Sequence, residues 1–136
     1  MKSFRVSVVA PAHPQIDVEA ESVSVPAQTG SLGVRYGHLP LLTILKVGLV
    51  HIRDAEGKDR WLGITGGFFE MMGDHATLLA DDLISEDEAY EQNEAYDSRT
   101  TLMFPAEFPS PLARYDFARA LLRRRLEQSG RRPSPT

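Results

Sequence analysis

The chain has 136 residues, a formal net charge of −4, 42% hydrophobic residues and no cysteine. That length fits one domain of ordinary size, or a compact domain with a small appendage, and it can bury a core without covalent help. The lack of cysteine excludes disulfides, thiolate zinc sites and cysteine nucleophiles, and it suits a reducing compartment.

The opening stretch MKSFRVSVV has only a short apolar run of alternating character. It predicts no secretory signal, and no window approaches the length that crosses a bilayer. Up to about residue 80 the pattern has period two and is broken by Gly, Pro and Asp, as in short antiparallel strands with one face on a core. FRVSVVA puts Phe4, Val6 and Val8 on one side and Arg5 and Ser7 on the other; ESVSVPA does the same with Val23 and Val25. LVHIRDAEGKDRWLGITGGFFEMM reads as strand, turn, strand with AEGKD as the connection, and FFEMMGDHATLLAD repeats the device around Gly73-Asp74. Strands at this spacing, with no helical pattern between them, predict a β-sandwich or barrel over residues 1–82.

The period changes after Asp82. Ser85 is placed to cap a helix whose first turn holds Asp87 and Glu88, where acids favour the positive end of the helix dipole. Pro105, Pro109 and Pro111 stop it, because each removes a backbone donor, so residues 101–111 read as a connector. A second helix starts near Ser110 or Pro111 and runs LARYDFARALLRRRLEQ, with Tyr115, Ala118, Leu122 and Leu126 on one stripe and Leu121 beside it. Residues 83–128 thus predict a two-helix hairpin, and 129–136 a disordered tail. Eight acids and no base lie between Asp81 and Ser98, whereas Leu112 to Thr136 holds seven arginines against Asp116 and Glu127. Opposed charge favours packing of one helix on the other, at a fraction of a kcal/mol per exposed pair.

The residues offer little chemistry. His13, His38, His51 and His75 are scattered, and none pairs at metal-ligand spacing. GSLG lacks the Gly-Lys-Ser/Thr of a phosphate loop, and Gly66-Gly67 sits between strands, where close backbone approach or a bulge explains it. No Gly-x-Ser-x-Gly elbow occurs. The arginine run could attract nucleic acid, but no aromatic residues are interleaved for stacking and an acidic segment lies upstream; a solvated or partner-facing surface is the other reading. On residues alone the chain is a non-catalytic β domain with a helical appendage.

GSLGVRYGHLPLLTILKVGLVHI (30–52), followed by GITGGFFEMMGDHATLLADD (63–82), resembles the epsilon subunit of F-type ATP synthases over roughly residues 4 to 82. The resemblance implies a sandwich of about ten short strands with a C-terminal two-helix hairpin. It also implies a non-catalytic rotor subunit that clasps gamma, rests on the c ring and transmits rotation, with helices able to extend toward the alpha/beta head and restrain hydrolysis. Its place is peripheral, on the cytoplasmic face of the inner membrane, without insertion and without nucleic acid. On this resemblance Ser31, His38, Pro40, Leu41 and Leu42 belong to the partner-facing region, and a rigid sheet with tight turns at Gly33, Gly37 and Gly48 is the coupling. For His38 an ordinary turn role stands beside a direct contact.

Departures accompany the match. Ser31 replaces an acidic residue, Arg35-Tyr36 replaces the usual residue and proline, and the first helix lacks an alanine- and lysine-rich pattern. YDFARA is similar to a family motif associated with ATP, which nominates Asp116, Arg119 and Arg123 for a regulatory nucleotide; a simple intrahelical pair between Asp116 and Arg119 is the alternative. No metal or other cofactor is expected. A free-standing adaptor or nucleotide sensor, unrelated to rotary catalysis, is the competing function.

Overall fold

The computed structural model describes residues 2–90 and 111–130. Nine strands are present: β1 (Phe4–Val9), β2 (Ile16–Ala27), β3 (Gly30–Arg35), β4 (Leu41–Leu45), β5 (Gly48–Asp54), β6 (Asp59–Ile64), β7 (Gly67–Met72), β8 (His75–Ala80) and β9 (Leu83–Ile84). After them come a 3-10 turn at Glu88–Tyr90 and a helix, α1 (Pro111–Gln128). The expected connector, the body of the first helix and most of the tail lie outside the described residues.

Alternation in the sequence becomes alternation of burial. Phe4, Val6 and Val8 of β1 and Val23 and Val25 of β2 all face inward and are fully buried. They join Val50, Ile52, Ile64, Phe69, Met71 and Leu78 in one core. Each such side chain removed from water stabilises the fold by about 2 kcal/mol before entropy is counted.

The strand order is β1-β8-β7-β4-β2-β5-β6-β9, with β3 on β2 and β1 returning to β2. The long strand β2 joins the two halves of this arrangement: its first part pairs with β1, its middle with β5 and its last part with β3. A register shift between Ala20 and Ser22 bends it where it changes partners. Both halves present their apolar faces to the same core, which is the sandwich read from the sequence.

Three expectations need correction. The strands are not all antiparallel, since β1 runs parallel to β8 from Arg5↔His75 to Val9↔Leu79. Local periodicity reports hairpins, whereas this pair joins distant segments. The pairing also extends beyond residue 82, because β9 adds to the edge of β6 through Gly63↔Ile84 and Ile64↔Leu83. Of the three glycines assigned to turns, only Gly37 takes a turn conformation, with φ +84°; Gly33 lies inside β3 and Gly48 opens β5. Gly48 is needed for space instead, as a Cβ there would sit 2.7 Å from Cβ of Pro26.

Ser85 does cap. Its Oγ accepts from Glu88 N at 3.2 Å, and Glu88 Oε1 accepts from Ser85 N at 3.1 Å, a reciprocal capping box. Among the described residues this box opens only the single 3-10 turn. Helix α1 begins at Pro111 as expected, and Ala118, Leu122 and Leu126 are buried against Ile84, Ala89, Trp61 and Tyr90. Its partner among the described residues is therefore the sandwich edge and the 3-10 turn. The burial of this apolar stripe holds α1 there, and the expected packing of one helix on the other falls on residues outside the described ones. Arg125 lies 4.4 Å over the Trp61 ring and Arg123 lies 5.4 Å over Tyr90, adding cation–π contacts at the rim.

Candidate functional site: the outer face of the sheet

Strands β4, β7 and β8 pair so that Ile44 faces Phe68 and Phe68 faces Leu79, with Val9 of β1 next in line. These residues alternate with the core positions Leu45, Phe69 and Leu78, so they point outward. Ile44, Phe68 and Leu79 are 50%, 49% and 48% exposed, half of each large side chain being in water. Leu42 and Met72 extend the patch and are more exposed still. A contiguous apolar row across three strands differs from scattered surface leucines, which need no explanation.

The residues nominated from the sequence fall around this row unevenly. Leu42 lies on it, while Leu41 turns inward and packs against the core. Pro40 is exposed in the loop that enters β4. His38 is half-buried there, and its Nδ1 donates to the Leu39 carbonyl at 2.7 Å, the bond of a turn residue. Ser31 is exposed on β3, which among the described residues pairs only with β2, and its Oγ meets Ser24 Oγ at 2.9 Å. Sequence reasoning misses Phe68, Ile44 and Leu79. Their signal is present in LLTIL, GFFEMM and HATLLA, where apolar residues occupy both alternating faces of one strand.

Asp116 and Arg119 are brought together on α1, both nearly fully buried. Burial pushes the Asp116 carboxyl above its ordinary range, and the Arg119 charge partly offsets this. Its Oδ1 has no hydrogen-bond partner among the described residues. Arg123 stands apart from the pair, stacked on Tyr90 and 3.7 Å from Glu127.

One constellation invites a catalytic reading. Ser7 Oγ is 2.6 Å from Asp17 Oδ1 and 2.8 Å from His75 Nε2. A hydroxyl has one proton and a carboxylate only accepts, so Ser7 donates to Asp17 and accepts from the imidazole N–H. The Ser7 hydroxyl, followed by the Gln15 amide, holds the Asp17 carboxyl below its usual range. An imidazole that already carries the proton cannot take one from Ser7, so this is the reverse of a nucleophile–base relay. It is a polar clamp tying β1 to β2 and β8.

The arrangement defines a β-sandwich with an exposed apolar row on its outer face, onto whose edge a C-terminal helix folds. The chain belongs to the family described as ATP synthase, Delta/Epsilon chain, beta-sandwich domain, whose model matches residues 3–86. It is 40% identical over 80 residues to the ATP synthase epsilon chain of Bacillus subtilis (strain 168), a match that covers 59% of this chain and 60% of that one. It is 38% identical over 84 residues to the ATP synthase epsilon chain of Polynucleobacter necessarius subsp. necessarius (strain STIR1), covering 62% and 61%. The matched stretch thus spans about three fifths of each relative's length.

Among solved structures, a chain of the Euglena gracilis mitochondrial ATP synthase (OSCP/F1/c-ring, rotational state 1) superposes with a TM-score of 0.64 at 16% identity, over 93% of this chain and 81% of that one. A chain of the Tetrahymena thermophila mitochondrial ATP synthase central stalk and c-ring gives 0.54 at 14% identity, over 94% and 96%. At such identities the likeness is one of fold. No helix among the described residues is long and apolar enough to cross a membrane.

Proposed function

We propose that this chain is the epsilon subunit of the central stalk of an F-type ATP synthase. In this reading it is non-catalytic, grips gamma through the outer face of the sheet, rests on the c ring through the loop around His38 and Pro40, and sits peripherally on the cytoplasmic face of the membrane. The observation that carries it is the Ile44, Phe68, Leu79 row, an apolar surface laid across three hydrogen-bonded strands. A rotor part must transmit torque without yielding, and a sheet meets that need because displacing one strand strains the whole ladder. Chemistry is not required of it. Mixing the purified chain with its cognate gamma subunit at micromolar concentration is expected to give a 1:1 complex on size exclusion; separate elution at that concentration overturns the reading.

A regulatory role for α1 rests on its own observation. Among the described residues Asp116 Oδ1 is buried without a partner beside Arg119, and a carboxylate–guanidinium pair suits the amino or hydroxyl groups and the phosphates of ATP once the helix lifts. The lifted helix, with its arginines exposed, would reach the alpha/beta head and restrain hydrolysis. Calorimetric titration of the full chain with ATP is expected to give saturable heat that Arg119→Ala abolishes. Undiminished heat in that variant removes Arg119 from the site.

A further inference from the structure

The loop between β1 and β2 touches the root of the C-terminal segment at one point. His13 Nε2 lies 3.0 Å from Glu88 Oε1, the carboxylate of the capping box, and His13 Nδ1 lies 3.1 Å from the Pro11 carbonyl. Both ring nitrogens therefore face acceptors. Neutral imidazole carries one N–H and can satisfy only one of them; the imidazolium carries two and satisfies both. From this geometry we infer that His13 is a proton-operated staple, holding the Glu88–Tyr90 turn, and through it α1, against the sandwich when protonated and loosening it when neutral.

The surroundings point the same way. The charged groups facing His13 are Glu88, from the 3-10 turn, and Asp82, from the connection between β8 and β9, and both are acidic. The Pro11 carbonyl first, and then Glu88, raise the His13 pKa above its ordinary 6.5 against the opposing effect of partial burial. The bonds from Ser85 and His13 lower that of Glu88 below its ordinary 4.5, although burial opposes them. Linkage gives the sign. A raised histidine contributes stability that is complete below 6.5 and is lost as pH rises through its folded value; a lowered glutamate contributes stability present above 4.5 and lost as pH falls through its own. The staple is closed between those limits and opens on the alkaline side.

Opening it would be felt in α1. Glu88 leads directly into Ala89, fully buried, and Tyr90, and both pack on the face of α1 that carries Ala118, Leu122 and Leu126. Arg123 also stacks on Tyr90. Neutral His13 holds only one of its two acceptors and no longer attracts Glu88 as a cation, so the bridge from Pro11 to the turn on which the helix rests is weakened. This device belongs to the isolated chain and does not depend on the stalk reading.

The test uses the full chain. The His13 ring is titrated by NMR in the wild type and in Glu88→Gln, and amide exchange at Leu122 and Leu126, corrected for intrinsic rate, is compared at pH 6 and pH 8. The expected results are a His13 midpoint above 6.5 that falls in Glu88→Gln, and an exchange protection that drops about two- to fivefold at pH 8 in the wild type but not in His13→Gln. A wild-type midpoint at or below the ordinary value, or an equal pH response in His13→Gln, overturns the staple.

Discussion

Gly67→Ala is expected to destabilise the sandwich by about 3–5 kcal/mol, a large share of the stability of an ordinary domain. Gly67 has φ +142°, a region that side-chain-bearing residues rarely enter, and a Cβ built there collides with the Leu79 carbonyl oxygen. That oxygen belongs to the backbone of β8, so relief means moving a strand. Gly67 also opens β7 at the point where it faces Leu45 and Ala80 together, so both neighbouring ladders are disturbed. Urea unfolding followed by circular dichroism measures the loss. Gly73→Ala is the comparison: its φ is +62° and nothing lies within 4 Å of a built Cβ, so only the left-handed strain remains, about 1 kcal/mol. Equal losses in the two variants would show that the collision at Leu79 is relieved without cost.

Phe68→Glu is expected to weaken binding to the cognate gamma subunit by about 100-fold while leaving the fold intact. Phe68 is central in the exposed row, with Ile44 on one side and Leu79 on the other, and a carboxylate there would be desolvated by any partner covering the row. In the free chain half the side chain already faces water, so the change in stability stays within about 1 kcal/mol. Calorimetry or surface binding against immobilised gamma measures the affinity, and thermal unfolding checks the fold. Lys58→Glu, in the exposed turn between β5 and β6, should bind normally. Undiminished binding by Phe68→Glu would move the gamma contact to another face.

Much of the fold is legible in the sequence because local rules suffice for it. Period two fixes the inward residues of β1 and β2, the paired turn residues Gly73-Asp74 place the β7–β8 hairpin, and Ser85 with Glu88 marks the capping box. Pro111 and the Ala118, Leu122, Leu126 stripe fix α1. Of the two readings of Gly66-Gly67, close backbone approach or a bulge, the first describes Gly67, while Gly66 lies closest to the Asp81 carboxylate. Features that depend on distance along the chain are not legible. The parallel register of β1 on β8 has no local signature, and the bond from His13 to Glu88 spans 75 positions. The exposed apolar row is hidden for another reason: β7 is apolar on both sides, and alternation cannot say which side is covered by the protein's own core. Leu41 and Leu42 show the same ambiguity, since adjacent leucines on one strand must point opposite ways and only the completed sheet decides which is free.

The parallel pairing of β1 with β8 also sets an order of events during synthesis. Ser7 and His75 are 68 positions apart, yet the first strand has its second neighbour only when the eighth has been made. A nascent chain emerging from the ribosome can form the β1–β2 hairpin early, but it keeps an open flank, and with it an unprotected sheet edge, until residue 80 is clear of the exit tunnel. Maturation of the domain is thus one late, cooperative closure, and fragments released before it are the species most exposed to aggregation and proteolysis.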